Sequence, residues 1–490
     1  MLLGHCCPSM HAMASDRTAG AAASAPLSHC SRVLPIRTPM QLQKQQQLSC
    51  IKSCPNFQGR QQHTGKPPLP SRIATHASSS GAMPADGAME PADSGSTFVQ
   101  TVFNVVNLMM GVGLLSLPFA LKSSGWVGIL MLWFMAFITN YTGKALVECA
   151  NRVAENRGQP GAVVGYEEIA EAAFGKFGKA LISAIIYVEL FGTCCVLFIL
   201  EQDNMFNLFG SATGMSPPQF LAIAAALMIP TVWLPNLSAL SFLGVFGVAA
   251  TTTVVASVAF TLFTGNFIPG AATTPAVWAS VPLVFGIMTF CYSGHGVFPS
   301  IQASMKRPSE FPQVLNVAFF IVAFLCSFIG GAGYYMYGSA AADIIIFNMP
   351  GVLATLCSCL ILINPIAKFA LTMEPVAAAA NTAAGGGKPL SGLPRLGVRT
   401  ALALTILVAA KSVPYLAYVM SLVGSFMTIS VSVTFPALCH LVLHKGQLEQ
   451  TKVAWDYFVA TLGVLCTISG TYASARSLAA KAASSAAGVA

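Results

Sequence analysis

From residue 97 to residue 475, apolar stretches alternate with short polar loops. Most of these stretches reach about 20 residues, the length of helix that crosses the roughly 30 Å hydrocarbon core of a bilayer. Their length and number predict an all-α polytopic membrane protein with about eleven transmembrane helices, ten or twelve remaining possible. The predicted spans are 97–121, 126–150, 177–202, 217–234, 239–265, 278–300, 312–338, 350–378, 396–413, 415–443 and 453–475.

The composition excludes a large soluble protein. Only 9% of the 490 residues are charged, and the mean hydropathy is +0.68, whereas a soluble domain has about 25% charged residues. The net charge of +8 is spread evenly along the chain, which disfavours nucleic-acid binding. The 14 cysteines show neither a secreted disulfide pattern nor zinc-site spacing. We therefore expect a monomer in a lipid bilayer, with no metal and no cofactor.

The first 95 residues differ in composition from the rest of the chain. They are rich in Ser, Ala, Gln and Pro, and such a segment buries too little apolar surface to fold, so we predict disorder. Basic residues recur there, yet no acidic residue occurs between Asp16 and Asp86, as in organelle transit peptides. The predicted organisation is a disordered tail or transit peptide at 1–95, a transmembrane domain at 96–476 and a short C-terminal tail at 477–490.

Lys and Arg residues are concentrated in alternate loops. The loops at 151–180, 301–311, 379–399 and 444–452 carry eleven of them, while the intervening loops carry only Lys122 and Lys411. Cytosolic loops are enriched in these residues. This asymmetry predicts a cytosolic N-terminus and a C-terminus on the opposite side of the membrane.

Two predicted spans, the first and the sixth, contain paired glycines followed by a proline. Residues 111–113 (Gly-Val-Gly) precede Pro118, and residues 294–296 (Gly-His-Gly) precede Pro299. Glycine costs about 1 kcal/mol in a helix and proline about 3 kcal/mol, and unwound backbone is tolerated in a membrane only beside a cavity. Interrupted helices at matching positions of two halves are typical of the central site of a secondary transporter. The alternative is that the glycines only allow close helix packing.

An unwound segment exposes N–H groups that suit a carboxylate and C=O groups that suit an ammonium group or a cation. A free amino acid carries both charges, so it is the ligand that we expect. Tyr187 is a candidate to contact the substrate carboxylate, and Tyr292 or Phe290 is a candidate to line the side-chain pocket, although packing roles are the alternative for all three. The candidate substrate-binding residues are Gly111, Val112, Gly113, Leu114, Tyr187, Tyr292, Ser293, Gly294 and His295.

Several segments resemble the amino acid/auxin permease family, most closely its vacuolar (vesicular) amino acid transporter branch. The segments that carry the resemblance include 107–120 (NLMMGVGLLSLPFA), 187–190 (YVEL), 200–204 (LEQDN), 290–299 (FCYSGHGVFP), 364–372 (NPIAKFALT) and 420–425 (MSLVGS). The resemblance implies the five-plus-five inverted repeat of the bacterial leucine transporter fold, with one further span. It also implies secondary transport of amino acids, usually coupled to protons, with sodium as an alternative. The host membrane it favours is the vacuole or another endomembrane, while the N-terminal segment leaves the plastid envelope possible.

Charged residues deep in the spans are candidates for proton coupling, because they are costly in a membrane unless they are used. Glu189 and Lys368 lie near mid-span, and the implied fold places their spans side by side, so they either titrate or form a fixed ion pair. His295 is a third candidate, with a purely structural role as the alternative. Asn364 is expected to satisfy backbone groups freed by the following proline. Lys144, Glu148 and Glu374 are expected to extend to the cytosolic interface.

Motifs of enzymes are missing from the sequence. Residues 385–388 (Gly-Gly-Gly-Lys) lack the remaining positions of a phosphate-binding loop, and neither a zinc-protease motif nor a nucleophile elbow occurs. We therefore do not expect an enzyme. An amino acid sensor of the same fold, or a carrier of auxin-like organic acids, remains an alternative to an amino acid transporter.

Overall fold

Helices account for nearly all the regular structure in the computed structural model, which describes residues 95–159, 161–234, 238–265, 267, 271–349, 351–413 and 415–487. The predictions for residues 1–94 lie outside these ranges. The helices are α1 (Phe98–Met109), α2 (Val112–Leu115), α3 (Leu117–Ser124), α4 (Val127–Asn156), α5 (Tyr166–Thr213), α6 (Pro217–Met228), α7 (Ser238–Thr264), α8 (Val281–Phe290), α9 (Phe298–Ala303), α10 (Phe311–Tyr337), α11 (Gly351–Ala384), α12 (Gly392–Ser412), α13 (Leu416–Leu443) and α14 (Gln450–Ala487).

The predicted membrane class is confirmed. Within the described residues, nine helical stretches are long and apolar enough to cross a membrane. Two shorter apolar helices, Phe98–Met109 and Pro217–Trp233, lie where the first and fourth spans were predicted. The total of eleven crossings stays a prediction, because these two helices are shorter than the bilayer core requires.

Helix α5 is bent at Gly175, whose φ of 67° lies in the left-handed region that favours glycine. The bend separates a first segment, which begins with Glu167 and Glu168 in its first turn, from the apolar segment that follows. The hydroxyl of Tyr166 anchors the first segment by donating to the carbonyl oxygen of Val431, 2.6 Å away. The apolar span that was predicted to begin at 177 thus starts just after this bend.

The last two helices differ from the prediction in detail. Helix α13 has two widened turns, Gly424–Thr428 and Ser430–Thr434. The first widened turn lies where Gly424 approaches the backbone of Gly286 in α8 too closely for any side chain. Helix α14 continues to Ala487, so the described part of the predicted C-terminal tail is helical.

The interrupted first span lies at the centre of the packing. Helix α10 packs against α1, α3 and α4, while α11 packs between α5 and α7. Helix α8 packs against α13 and α14. In lipid, such contacts are stabilised by close van der Waals packing and by interhelical hydrogen bonds. This arrangement surrounds residues 110–116 with helices from both halves of the chain.

Candidate functional site

Both glycine pairs coincide with interruptions of the helices. Helix α1 ends at Met109, and the backbone is extended at Met110 (φ −76°, ψ 92°) and at Gly111 (φ −133°, ψ −151°) before the four-residue helix α2 begins. In the sixth span, α8 ends at Phe290, a short tight turn covers His295–Val297, and α9 begins at Phe298. The first backbone N–H groups of a helix have no partner within it. The N–H groups of the Gly111–Gly113 segment are therefore available to a ligand.

The two interruptions contact each other. A Cβ atom at Gly113 would lie 2.6 Å from the Sγ atom of Cys291, and one at Gly294 would lie 3.1 Å from Cδ2 of Leu108. Gly113 therefore serves the close packing that was the alternative explanation of the glycines. Gly111 does not, because the nearest atom to a Cβ there is Nζ of Lys368, at 3.8 Å.

A small cavity, here called the central cavity, lies beside the first interruption. Its volume is about 20 Å³, which is room for about one water molecule. An amino acid therefore requires the surrounding helices to move. The lining residues come from the interrupted first span, α5, α7 and α11; they are Gly111, Val112, Leu114, Leu115, Leu200, Ala250, Thr251, Val254, Ile361 and Asn364.

A larger cavity of about 200 Å³, here called the adjacent cavity, lies next to α1. Thr251 lines both cavities, and Met110 of the adjacent cavity directly precedes Gly111 of the central one. The other lining residues are Phe103, Val106, Asn107, Val248, Thr252, Val255 and Leu325, from α1, α7 and α10. The two cavities thus follow one another along the first span.

His295 is fully buried between the sixth span and α4. Its Nε2 atom lies 3.0 Å from the carbonyl oxygen of Thr139 and 3.2 Å from Oγ1 of Thr142. A carbonyl oxygen only accepts, so Nε2 carries the hydrogen. The other ring nitrogen, Nδ1, is buried and has no partner in the described part of the chain. His295 therefore keeps one nitrogen unused.

Lys368 and Asn364 face the first interruption from α11. Lys368 places Nζ near Gly111. Asn364 lines the central cavity with its buried Oδ1 lacking a partner among the described residues. Asn364 was expected to satisfy backbone groups freed by Pro365. Its free oxygen makes Asn364 a better site candidate than expected.

Glu189 and Tyr187 are not at the interruption. The carboxylate of Glu189 accepts a hydrogen bond of 2.7 Å from Thr428 in α13. The structure shows no ion pair between Glu189 and Lys368, which was one of the two expectations for these residues. The hydroxyl of Tyr187 bonds to Glu167 at 3.3 Å. Tyr187 precedes Leu200, which lines the central cavity, by 13 residues of the same helix, or about 20 Å at 1.5 Å per residue. The structure does not bring Tyr187 to the Gly111 segment.

The remaining candidates lie at or near the interruptions. Leu114 lines the central cavity. Tyr292 is fully buried, its ring stacks on Phe319 at 5.9 Å, and its hydroxyl has no partner in the described structure. Ser293 and Gly294 are half-buried beside it. Tyr292 thus shows the packing contact that was the alternative to a pocket wall.

One buried acidic side chain, Glu201, was not predicted as a candidate, and two other acidic side chains have partners that were not expected. Glu201 is fully buried, and neither of its carboxylate oxygens has a partner in the described residues. Glu148, which was expected to extend to the cytosolic interface, is 54% exposed and also bonds to His440 at 3.2 Å. Glu374 likewise pairs with Arg399, at 2.5 Å. In the part of the chain that the structure describes, no group of three or more His, Cys, Asp or Glu side chains is placed so that it could hold a metal ion.

Comparison with known proteins decides the family. The model of the family described as transmembrane amino acid transporter protein matches residues 94–476. The chain belongs to this family. This membership confirms the resemblance that the sequence motifs carry.

Individual relatives agree with this assignment. The amino acid transporter AVT1D of Arabidopsis thaliana is 36% identical over 397 residues, which cover 78% of this chain and 70% of that protein. The vesicular inhibitory amino acid transporter of Xenopus tropicalis is 26% identical over 395 residues, which cover 75% and 74% of the two chains. Among solved structures, the inward-facing conformation of Mhp1 has a TM-score of 0.50 at 13% identity, covering 80% of this chain and 92% of that one. This likeness shows a shared fold.

Proposed function

We propose that this protein is a secondary active transporter of amino acids whose substrate binds where the interrupted first and sixth spans meet. The observation that carries the proposal is the contact between the two interruptions, at Gly113–Cys291 and Leu108–Gly294, beside the central cavity. Membership of the transmembrane amino acid transporter family supports the substrate class.

The groups around the central cavity suit a zwitterion. Backbone N–H groups at Gly111–Gly113 and the ammonium of Lys368 provide positive potential for a carboxylate. The unpartnered oxygen of Asn364 can accept a hydrogen bond from the substrate ammonium group. We propose Gly111, Val112, Gly113 and Leu114 on the first span, and Tyr292, Ser293, Gly294 and His295 on the sixth, as the two walls of the site.

Transport requires the site to open alternately to each side. The central cavity holds about one water molecule, while the adjacent cavity, about 200 Å³ in volume, begins directly at Met110. Movement of α1 or α7 would join the two and admit a substrate from the side of the N-terminus. We propose a five-plus-five repeat with eleven spans, in which the first and sixth spans and their neighbours rock against the rest.

The proposed coupling ion is the proton, with Lys368 as the foremost carrier candidate. An ammonium group near mid-span without a hydrogen-bond or ion-pair partner in the described structure is costly, so it either meets an anionic substrate or releases its proton. Uptake by Lys368→Met, Glu189→Gln and His295→Gln variants should be measured at several pH values. We expect Lys368→Met to lose pH-dependent uptake; a parental pH dependence in all three variants would remove them as proton carriers.

Uptake of labelled amino acids by liposomes that contain the purified protein tests the proposed function. The assay uses a substrate panel, an imposed pH gradient and protein-free liposomes as the control. We expect accumulation that collapses when the pH gradient is dissipated. Binding without flux would indicate a sensor instead, and uptake restricted to auxin-like acids would indicate the other substrate class.

The proposed location is an endomembrane such as the vacuole, with a cytosolic N-terminus. The resemblance and the vesicular relative support this location. Imaging the tagged chain with and without residues 1–80 distinguishes it from the plastid envelope. A plastid signal that disappears without residues 1–80 would show a transit peptide.

A further inference from the structure

Four polar side chains meet between α4, α13 and α14, away from the proposed substrate site. Nδ1 of His440 lies 2.7 Å from Oδ2 of Asp456, and Nε2 lies 3.2 Å from Oε2 of Glu148. The hydroxyl of Tyr141 donates to the other oxygen of Asp456 at 2.6 Å. We call Tyr141, Glu148, His440 and Asp456 the histidine–carboxylate cluster.

The cluster must hold one proton more than a neutral histidine and two ionised carboxylates would hold together. A neutral imidazole carries hydrogen on one nitrogen only, and its other nitrogen accepts. Ionised carboxylates also only accept, so one of the two contacts would then join two acceptors. The contacts of His440 with Glu148 and Asp456 are both satisfied if the ring is an imidazolium or if one carboxyl group is protonated.

Only the Glu148 end of the cluster is exposed, so a proton can enter the cluster there. The side chains of His440 and Asp456 are 2% and 0% exposed, whereas that of Glu148 is 54% exposed. A proton that arrives at Glu148 can pass to Nε2 of His440, and the proton on Nδ1 can pass to Asp456. The ring is then neutral with hydrogen on Nε2, and Tyr141 holds the second oxygen of Asp456.

Other charged and titratable groups face the cluster from each neighbouring helix. The ring of His444 lies 4.8 Å from that of His440, so the two rings disfavour being charged together. The remaining groups are Lys144, Cys149 and Arg152 on α4, Cys439 on α13 and Lys452 on α14.

Two helices connect the cluster to the proposed substrate site. Thr142, the residue after Tyr141 in α4, contacts Nε2 of His295 at 3.2 Å. The same hydroxyl donates to the carbonyl oxygen of Ser432 at 2.6 Å, in the helix α13 that also carries His440. A change of charge at His440 therefore acts on two helices that hold the sixth-span interruption.

We propose that the histidine–carboxylate cluster is a proton-binding relay, entered at Glu148, through which the transporter takes up and releases its coupled proton. This inference rests on the proposed transport function and adds a proton site distinct from Lys368, Glu189 and His295. Positive-inside loops predict that Glu148 faces the cytosol.

Proton binding can be measured without transport, because Trp455 reports on the cluster. Its ring lies 6.1 Å from that of Tyr141. The purified full chain in lipid nanodiscs is titrated between about pH 5 and about pH 9, where histidine changes charge, and the Trp455→Phe variant identifies the signal of that residue. We expect a fluorescence transition that is lost in His440→Gln and shifted in Glu148→Gln.

The matched control is Glu171→Gln, which removes a carboxylate from the partly exposed pair with Lys179. It should keep the parental transition. In the uptake assay, His440→Gln should lose accumulation driven by the pH gradient but keep exchange of labelled for unlabelled amino acid.

The outcomes separate the inference from the proposed function. A parent that neither accumulates nor exchanges any amino acid contradicts the transport proposal, while the fluorescence titration still tests proton binding. A transition that persists unchanged in His440→Gln overturns the relay. If His440→Gln does not fold, Glu148→Gln still tests the relay, because Glu148 is half-exposed and its substitution is less disruptive. A fluorescence transition with the parental midpoint in Glu148→Gln would also overturn the relay.

Discussion

At residue scale, position 113 has room for a hydrogen atom only. A methyl group there would lie 2.6 Å from Sγ of Cys291, whereas at Gly111 the nearest atom is 3.8 Å away. We predict that Gly113→Ala destabilises the protein by about 1–3 kcal/mol, the cost of overpacking a filled interior. Gly111→Ala is the matched control and should leave the melting temperature of the purified protein nearly unchanged.

A second substitution at Cys291 should relieve the clash that Gly113→Ala creates. Cys291→Ala removes the sulfur atom that the new methyl group meets, so the double variant Gly113→Ala/Cys291→Ala should recover part of the lost stability. Such coupling is expected only for residues in contact. Strictly additive losses would show that the two interruptions do not touch as the structure has them.

Arg399 provides a second prediction at this scale. Its side chain is 3% exposed, and it pairs with Glu374 of α11 and donates to the carbonyl oxygen of Val232 at 3.1 Å. Glu374→Ala leaves a buried guanidinium group without its anion, so we expect a loss of about 1–3 kcal/mol. Glu171→Ala, in a partly exposed pair, should cost about 0–1 kcal/mol. Equal changes in melting temperature would contradict the buried pair.

At the scale of elements, the pattern that predicts the interruptions is local in the sequence. Paired glycines and a following proline weaken a helix whatever surrounds it, and helix α1 ends at Met109, just before the first pair. The partners of charged side chains depend on tertiary packing instead. Glu148 meets His440, 292 residues further along the chain. A single sequence contains no pattern that announces such a contact.

Helical spacing also limited the prediction of site residues. Tyr187 and Glu189 lie on the correct helix, α5, but Leu200 is the residue of α5 that lines the central cavity. Without a known tilt and register, the middle of an apolar stretch is a poor guide to the level of the cavity. Glu201 was overlooked for the same reason, since it lies near the end of the predicted span 177–202.

Asp343, in the connection between α10 and α11, is expected to make the stability of the protein depend on pH. Burial raises the pKa of Asp343, against the opposing effect of Lys122 and Lys481. Because the folded state holds this proton more tightly than the unfolded state, the stability from protonated Asp343 is present below about pH 4 and is lost as the pH rises through the folded pKa. Asp343→Asn should therefore gain melting temperature over the parent as the pH rises from about 4 to about 7. A constant difference across this range would contradict the assignment, and Glu171→Gln controls for the loss of a carboxylate.

At the scale of the whole molecule, the charge asymmetry of the loops predicts one orientation in the membrane. Gln159 lies between α4 and α5, in a loop flanked by basic residues, and Thr273 lies between α7 and α8, where the loop 264–277 has no Lys or Arg; both are exposed. We expect the cost of moving basic residues across a membrane during insertion to keep the first loop in the cytosol.

Cysteines introduced at these two positions test the orientation in sealed endomembrane vesicles whose cytosolic face is outside. We expect a membrane-impermeant maleimide to label Gln159→Cys directly and Thr273→Cys only after detergent is added. Labelling of the parent gives the background, which includes the exposed Cys359. An odd number of crossings separates the two loops in the proposed eleven-span order. Direct labelling of both positions would therefore contradict either the number of crossings between them or their order. Direct labelling of Thr273→Cys alone would show the reverse orientation. In the second case the half-exposed Glu148 would face the lumen, and the relay through His440 would take up protons from that side.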